Sequence, residues 1–385
     1  MILGASFYPA NCYNVHMRVA QCIESYLNHF VRLAAAGLDI SDETVKYLMF
    51  DPKKTAGGYR MIASGEFKVP DGAIVKGEIL KEDELVEAFA AWRTQEKRIP
   101  RSTFFVVSLP EEKSFLRVIQ LPHMKEEEVQ HAIRWEIEAN IPLAFEDLIY
   151  DYEVIGGVQS AGDHLDVVVT AFPKPLIETY VRVLDRAGLP LAALELESQA
   201  ITRSVIPDFR DNSVRIIADI GRTRTSFIVC LGGVIVFTTT VELGGQLFEE
   251  HLAKAFHISQ EEARLMKTRI GLNRKEHNGE VFDALLPIMA VLADELGRVI
   301  EYYRHHTQHM HGAPDAIESI MLVGGDANLL GLETYLSSAL RIRCFLADPL
   351  VWAYPGHTFM IPPLRKNEAL AFATTIGLAL RGLRA

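Results

Sequence analysis

Apolar runs broken by turn residues dominate the first third of the chain. AAAGLDIS, DETVKYLMF and YRMIASGEFKV, starting at residue 34, read as three strands, with Gly57-Gly58 marking one of the turns. A helix follows at about 81–98. Leu85, Phe89 and Trp92 fall on one face of it, acids open it, and Lys97-Arg98 close it where the helix dipole favours cations. TFFVVSL then reads as a strand stopped by Pro110. Residues 111–172 form a smaller βαββ pattern. FLRVIQL is a strand, Val129, Ile133 and Ile137 are the buried stripe of a helix, and DYEVI and LDVVVTAF are strands joined by a polar turn at 156–163.

The second half repeats the plan. After helices at about 174–187 and up to about 205, VRIIADIG leads into TSFIVCLGGVIVFTTTVEL. Helices are expected at about 246–256, 259–270 and 281–310, then the strand SIMLV, the helix GLETYLSSAL, the strand RIRCFLA and one closing helix, NEALAFATTIGLALRGL. Thr225–Val241 carries no charge, yet Gly232-Gly233 divides it into two β-rich runs, which makes it a hairpin rather than a membrane span.

Composition narrows the class without choosing a function. The chain has 385 residues, enough for two lobes with separate cores, and is 49% apolar and 23% charged. A net charge of −11 gives no global attraction to nucleic acid or anionic lipid. Cys12, Cys22, Cys230 and Cys344 are scattered, as in reduced cytosolic proteins. The N-terminus does not read as a signal peptide. Ile23, Tyr26, Leu27, Phe30 and Val31 recur at helical spacing within residues 1–33, so an amphipathic helix on a membrane or a partner competes with a short helix packed on the body. Among four histidines at 305–311, His305 and His309 have the i, i+4 spacing of a zinc pair, but no third ligand stands nearby. A helix C-terminus carrying imidazoles is the simpler reading.

The candidate chemistry lies in a duplication. An apolar strand ending in Asp-Ile occurs at 36–49 and again at 216–229, each followed by a turn and a returning strand. Small and hydroxyl residues at such turns, Ser41 and Thr44 in one copy and Gly221 and Thr223 in the other, let backbone N–H groups approach phosphate oxygens. Asp39 and Asp219 would each supply a carboxylate to a Mg²⁺-bound water, since Mg²⁺ keeps most of its waters. Gly244-Gly245 and Gly324-Gly325 follow strands and precede helices, where a ligand can lie against backbone. Glu262 and Lys267 lie on a helix between them and could face a ribose, and Arg222 could pair with a phosphate.

This order of motifs resembles the superfamily of actin, DnaK-type chaperones and FtsA, whose phosphate-1, phosphate-2 and adenosine motifs it matches. More specifically, GLDISDETVK, VSLPEEKSFLRVIQLP, AIRWEIEANIPLAFEDLIYDYEVI, DIGRTRTSFIV, ELGGQLFEEHLAKAFHISQEEARLMK and IMLVGGDANLLGLETYL resemble the PilM family of type IV pilus assembly proteins, across residues 34 to 382. The resemblance implies an α/β, actin-like (ribonuclease H-like) two-lobed ATPase fold with an inserted subdomain of the FtsA 1C type. Its parts would be an extension at 1–33 and subdomain 1A at 34–103, 174–212 and 355–385. Subdomain 1C would span 104–173, 2A 213–245 with 315–354, and 2B 246–314. It also implies ATP with Mg²⁺ bound through Asp39, Ser41, Thr44, Lys46, Asp219, Gly221, Arg222, Thr223, Gly244, Gly245, Glu262, Lys267, Gly324 and Gly325. The implied partners are the N-terminal peptide of a PilN-like inner-membrane protein and the pilus motor ATPase complex, with a homo-oligomer compatible and no nucleic acid. The location would be cytoplasmic, peripheral to the inner membrane through the partner.

The sequence departs from that pattern in places. Ser41 stands where the family usually has Gly, Arg222 and Arg224 where small residues are usual, and Arg264 where an acid is common. No residue stands out as positioning an attacking water, so ATP hydrolysis does not follow from the motifs. An FtsA-like polymerising division protein and a sugar or acetate kinase are the alternatives. The first should end in a linker and an amphipathic helix, whereas this sequence stops at RGLRA; the second needs a general base and a polar acceptor cleft that no constellation supplies. Asp219→Ala is expected to lower nucleotide affinity sharply while the fold survives, measured by titration of a fluorescent ATP analogue beside a thermal melt. Unchanged affinity would show that Asp219 is not at the nucleotide.

Overall fold

In a computed structural model, residues 35–55, 58–124, 126–155, 164–206, 213–306, 316–354 and 362–383 are described. The expected helix within 1–33, the turn at 156–163, Cys12, Cys22, His309 and His311 lie outside them. The chain divides into two compact units. One takes in Met1–Ser204, Leu350–Pro363 and Thr374–Ala385, the other Val205–Pro349 and Leu364–Ala373.

The first unit is built on the strands β1 (Ala35–Ile40), β2 (Thr44–Thr55), β3 (Gly58–Lys68), β6 (Phe104–Leu109) and β10 (Leu191–Leu196), in the order β10-β6-β1-β2-β3. β1 pairs parallel with β6 and antiparallel with β2, β6 pairs parallel with β10, and β2 pairs antiparallel with β3. All six residues of β1 are buried, as a central strand covered on both faces requires. One cover is the helix Ala373–Gly382, which approaches so closely that a Cβ on Gly37 would lie 2.3 Å from the Thr375 carbonyl. The expected stripe Leu85, Phe89 and Trp92 is buried on α1 (Glu82–Gln95). That helix ends before Lys97-Arg98. Its Arg93 donates to the carbonyls of Ile99 and Pro100, and Glu96 turns to accept from Tyr47 and Arg98. A short hairpin, β4 (Ile74–Val75) with β5 (Glu78–Ile79), was not legible in the apolar pattern, because two-residue strands have no period to read.

The expected βαββ module is present in the same unit. β7 (Phe115–Pro122), α2 (Glu126–Asn140), β8 (Leu148–Val154) and β9 (His164–Pro173) follow one another, and β9 lies between β7 and β8 in an antiparallel sheet. Val129, Ile133 and Ile137 pack with Leu165, Val167 and Val169 into one apolar cluster. α3 (Lys174–Arg186) and α4 (Glu197–Val205) flank β10 in the chain.

The second unit repeats the first sheet. β11 (Val214–Ile220), β12 (Thr225–Leu231), β13 (Val234–Val241), β14 (Ile317–Val323) and β15 (Cys344–Leu346) pair in the order β13-β12-β11-β14-β15. The two pairings on one side of β11 are antiparallel and the two on the other are parallel, as around β1. The β12–β13 hairpin turns at Gly232 and Gly233, at φ 55° and 83°, a pair of left-handed positions that glycines adopt without strain. The helices α5 (Gly245–Phe256), α6 (Gln260–Arg269), α7 (Glu280–His306) and α8 (Leu332–Leu340) stand where the periodicity put them. The closing segment is two helices instead of one, α9 (Lys366–Leu370) and α10 (Ala373–Gly382). The Gly324 N–H takes the Leu370 carbonyl at 3.1 Å, and the last carbonyls of α9 bond in tighter i+3 fashion, so the helix stops there.

Two carboxylates on β8 give the first unit a pH dependence. Burial raises the Asp151 carboxyl to about 6 from the usual 3.8, opposed by the Tyr152 N–H and by Arg381. Glu153, two residues on, is raised by burial and then by Asp151. A folded-state pKa above the unfolded one means the folded chain binds the extra proton. The charged form therefore costs stability, fully above about pH 6 and not at all below the unfolded value. Asp151→Asn keeps an acceptor for Tyr152 and is expected to stabilise the protein by about 1 kcal/mol at pH 8, allowing for solvent screening at a partly exposed group. Urea titrations at pH 8 and pH 4 check this: most of the gain should be lost at the lower pH.

Candidate functional site

Both Asp-Ile strand ends lead into the same turn. In the first unit the Ser41 N–H donates to the Thr44 carbonyl at 3.0 Å; in the second the Gly221 N–H donates to the Arg224 carbonyl at 2.9 Å. Ser41 does not take a positive φ, so the turn does not need the glycine usual in related sequences. Its hydroxyl instead laces the turn, donating to the Thr44 carbonyl at 2.8 Å and accepting the Thr44 N–H at 3.2 Å. Lys46 stands opposite Asp39 in the β1–β2 register and is half-buried. Asp39 is 9% exposed and accepts the Ser108 hydroxyl at 2.9 Å. Asp42 carries out a separate task, accepting the N–H groups of Lys76 and Gly77 and so anchoring the β4–β5 hairpin.

In the second unit three glycines are fixed by close approach. Asp219 pairs in register with Ser226 and Val323. Gly324 has φ 91°, and a Cβ there would sit 2.6 Å from Asp219 Oδ1 and 2.3 Å from the Ile220 carbonyl. Any side chain at this position would push the Asp219 carboxylate aside. Gly244 lies against the turn itself, where a Cβ would meet the carbonyls of Arg222 and Gly221 at 2.5 and 2.6 Å. A Cβ on Gly245 would overlap the Asp326 carboxyl. The start of α5 is thus docked on the hairpin: the N–H groups of Gly245 and Gln246 donate to the carbonyls of Gly221 and Arg222 at 3.0 and 2.8 Å. Gly325 is different. Only Ala371 Cβ, at 3.7 Å, would touch a side chain there, so the backbone is open to approach. Thr223 is exposed at the tip of the turn.

The charged residues form a network that the motifs did not reveal. Lys267 is 7% exposed and donates to Glu249 at 2.7 Å and to Asp326 at 2.5 Å. Glu249, 2% exposed, also takes Arg222 at 3.1 Å. Two acids and two cations therefore balance, and they tie α5, α6, the Asp219 turn and the Gly324-Gly325 turn together. Burial raises the Asp326 carboxyl above its usual range, while Lys267 pulls it back. Glu262 stands elsewhere. It is the reciprocal partner of Ser259 in a capping box at the start of α6, and the Ser259 N–H, then its hydroxyl, lowers its carboxyl below the usual range. Glu262 and Lys267 thus share a helix but have different partners. Glu249 and Asp326 were missed in the sequence because each has an ordinary reading there, as one acid of a charged helix and as a turn residue. Ser108 did leave a signal, a lone hydroxyl within the apolar run FFVVSL. Among the described residues no three His, Cys, Asp or Glu side chains gather as a metal site, and no helix is long and apolar enough to cross a membrane.

These residues suit a nucleotide with Mg²⁺ as far as each unit shows. A carboxylate ends each central strand, a tight polar turn follows it, and an open glycine lies beside the second. Glu249→Ala is expected to destabilise the protein by about 3 kcal/mol, because Lys267 and Arg222 lose their buried counter-charge. Guanidinium unfolding of the variant checks it, and a loss under 0.5 kcal/mol would show that the network is not structural.

Several known proteins share this architecture. The solved PilM–PilN type IV pilus biogenesis complex matches with a TM-score of 0.73 at 23% identity, covering 92% of this chain and 99% of that one. The ethanolamine utilization protein EutJ from Carboxydothermus hydrogenoformans matches with a TM-score of 0.52 at 16% identity, over 94% of this chain and 98% of its own. MreB5 of Spiroplasma citri bound to ADP matches at 0.53 and 15% identity, over 90% and 94%. At these identities the likeness shows the fold, actin-like and two-lobed. The family described as type IV pilus assembly protein PilM matches residues 37–383, which include both five-stranded sheets from Gly37 onward and the inserted module. The chain belongs to the PilM family of type IV pilus assembly proteins.

Proposed function

We propose that this protein is a nucleotide-binding adaptor of pilus assembly, which holds the N-terminal tail of a PilN-like inner-membrane protein and couples it to the pilus motor. The family match from residue 37 to 383 carries the reading, because it takes in the βαββ module as well as the two sheets. The likeness to the PilM–PilN complex over 92% of the chain supports the choice of partner. On this reading the protein lies at the cytoplasmic face of the inner membrane through that partner. A division-protein or kinase role has no comparable support.

The nucleotide is ATP with Mg²⁺. Support comes from the matching turns after Asp39 and Asp219 and from the fold shared with an MreB5 solved with ADP. Asp39 and Asp219 would each accept from a Mg²⁺-bound water, and Ser41, Thr44 and Lys46 in the first unit and Gly221, Thr223, Gly324 and Gly325 in the second would face phosphate or nucleoside. Arg222, Lys267 and Glu262 have protein partners already, so their contacts with nucleotide require those pairs to open or be shared.

The experiment is a calorimetric titration of the purified protein with a synthetic peptide of the cytoplasmic tail of the PilN-like protein from the same genome. A one-to-one complex with Kd on the order of 1 μM is expected. Failure of the native tail to bind would overturn the adaptor reading. A parallel titration with Mg²⁺-ATP tests the nucleotide separately, so either half can fall alone.

A further inference from the structure

A line of polar side chains crosses the first sheet at the carboxyl ends of its parallel strands. Lys46 on β2 is in register with Asp39 on β1, Ser108 on β6 touches Asp39, and Glu195 on β10 is in register with Ser108. Asp39, Ser108 and Glu195 are 9%, 0% and 4% exposed, so this line lies within the core. Glu195 is held by Arg203 and Arg381. Ser108 has a different pair of neighbours, and they decide where its proton goes.

The main-chain ladder between β1 and β6 runs in register as far as Leu38 and Val107. Beyond it, the Ile40 N–H donates to Ser108 Oγ at 2.9 Å instead of to a β6 carbonyl. A hydroxyl has one proton and two lone pairs. With Ile40 donating to one lone pair, the serine proton is directed at Asp39 Oδ1, 2.9 Å away. The side chain thus fixes the last backbone N–H of the strand and one oxygen of its terminal carboxylate. An acid held in this way cannot turn about its Cβ–Cγ bond without breaking a buried hydrogen bond.

We propose that Ser108 is a positioning residue for Mg²⁺. It fixes Asp39 Oδ1 within the sheet and leaves the other oxygen to accept from a water of the ion. This rests on the nucleotide reading of Asp39. Partners that orient a metal's ligands typically change metal affinity by about 10–100-fold when removed.

The test measures ATP binding by a fluorescent analogue across a range of Mg²⁺ concentrations, and again with Mg²⁺ chelated, for wild type, Ser108→Ala, Ser108→Cys, Ser108→Thr and Asp39→Ala. Ser108→Ala is expected to need about tenfold more Mg²⁺ for half-maximal binding, with Mg²⁺-free affinity unchanged. Ser108→Thr, which keeps the hydroxyl, should return the midpoint to within about twofold of wild type. Ser108→Cys, near in size and a weak donor, should fall between and replaces the alanine variant if that one does not fold. An unchanged Mg²⁺ midpoint in Ser108→Ala or Ser108→Cys, with a raised one in Asp39→Ala, would overturn the role of Ser108 alone. Equal weakening with and without Mg²⁺ would overturn it too, since a merely structural serine would act that way. No effect of Asp39→Ala would remove the nucleotide reading of Asp39, and the positioning role with it.

Discussion

Close approach at the end of β11 governs the second unit. Asp219 ends a fully paired central strand, and Gly324 lies so near it that no side chain fits between them. The same turn receives the start of α5, whose first N–H groups are satisfied by hairpin carbonyls. One strand end therefore fixes a carboxylate, a hairpin and a helix in mutual position without any long side chain. Glycine is required at Gly244 and Gly324 for physical reasons: a carbonyl pair at one, and a carboxylate with a left-handed backbone at the other.

The charged network is the second layer of that arrangement. Lys267 lies between two acids, Glu249 and Asp326, which alone would leave one negative charge uncompensated; Arg222 completes the balance. The consequence for function is specific. Arg222 and Lys267, two cations that the motifs offer to a nucleotide, are already engaged within the protein, so under the proposed role they would have to leave or share those partners. The first unit solves the equivalent problem differently, with hydroxyls. Ser41 laces the turn, and Ser108 bridges a backbone N–H and Asp39. The acid that ends the strand, Asp39, stands opposite Lys46 in the register.

Much of this was legible along the chain, and for identifiable reasons. Strand–turn–strand units with Asp-Ile at the strand end recur in the text because each local unit repeats a local pattern, and the two sheets accordingly share one topology. The βαββ module, the β12–β13 hairpin and the helical stripes Leu85–Phe89–Trp92 and Val129–Ile133–Ile137 follow from periodicity and paired glycines, which act within a few residues. The family emerged from the same order of local motifs.

Side-chain partnership was not legible, because it joins residues far apart in the chain. Ser108 meets Asp39 across 69 positions, and Lys267 meets Asp326 across 59. That Glu262 caps its own helix depends on three-dimensional direction that spacing alone does not give; its partner is Ser259. The break of the last helix after Leu370 likewise depends on Gly324, which claims its carbonyl. What the sequence by itself determined was the set of elements, the duplicated plan and the family, since these are written in nearest-neighbour preferences and burial periodicity. Only the tertiary structure decided which charges meet and which glycines are sterically obligatory, since burial makes a charge costly until a distant residue supplies its partner.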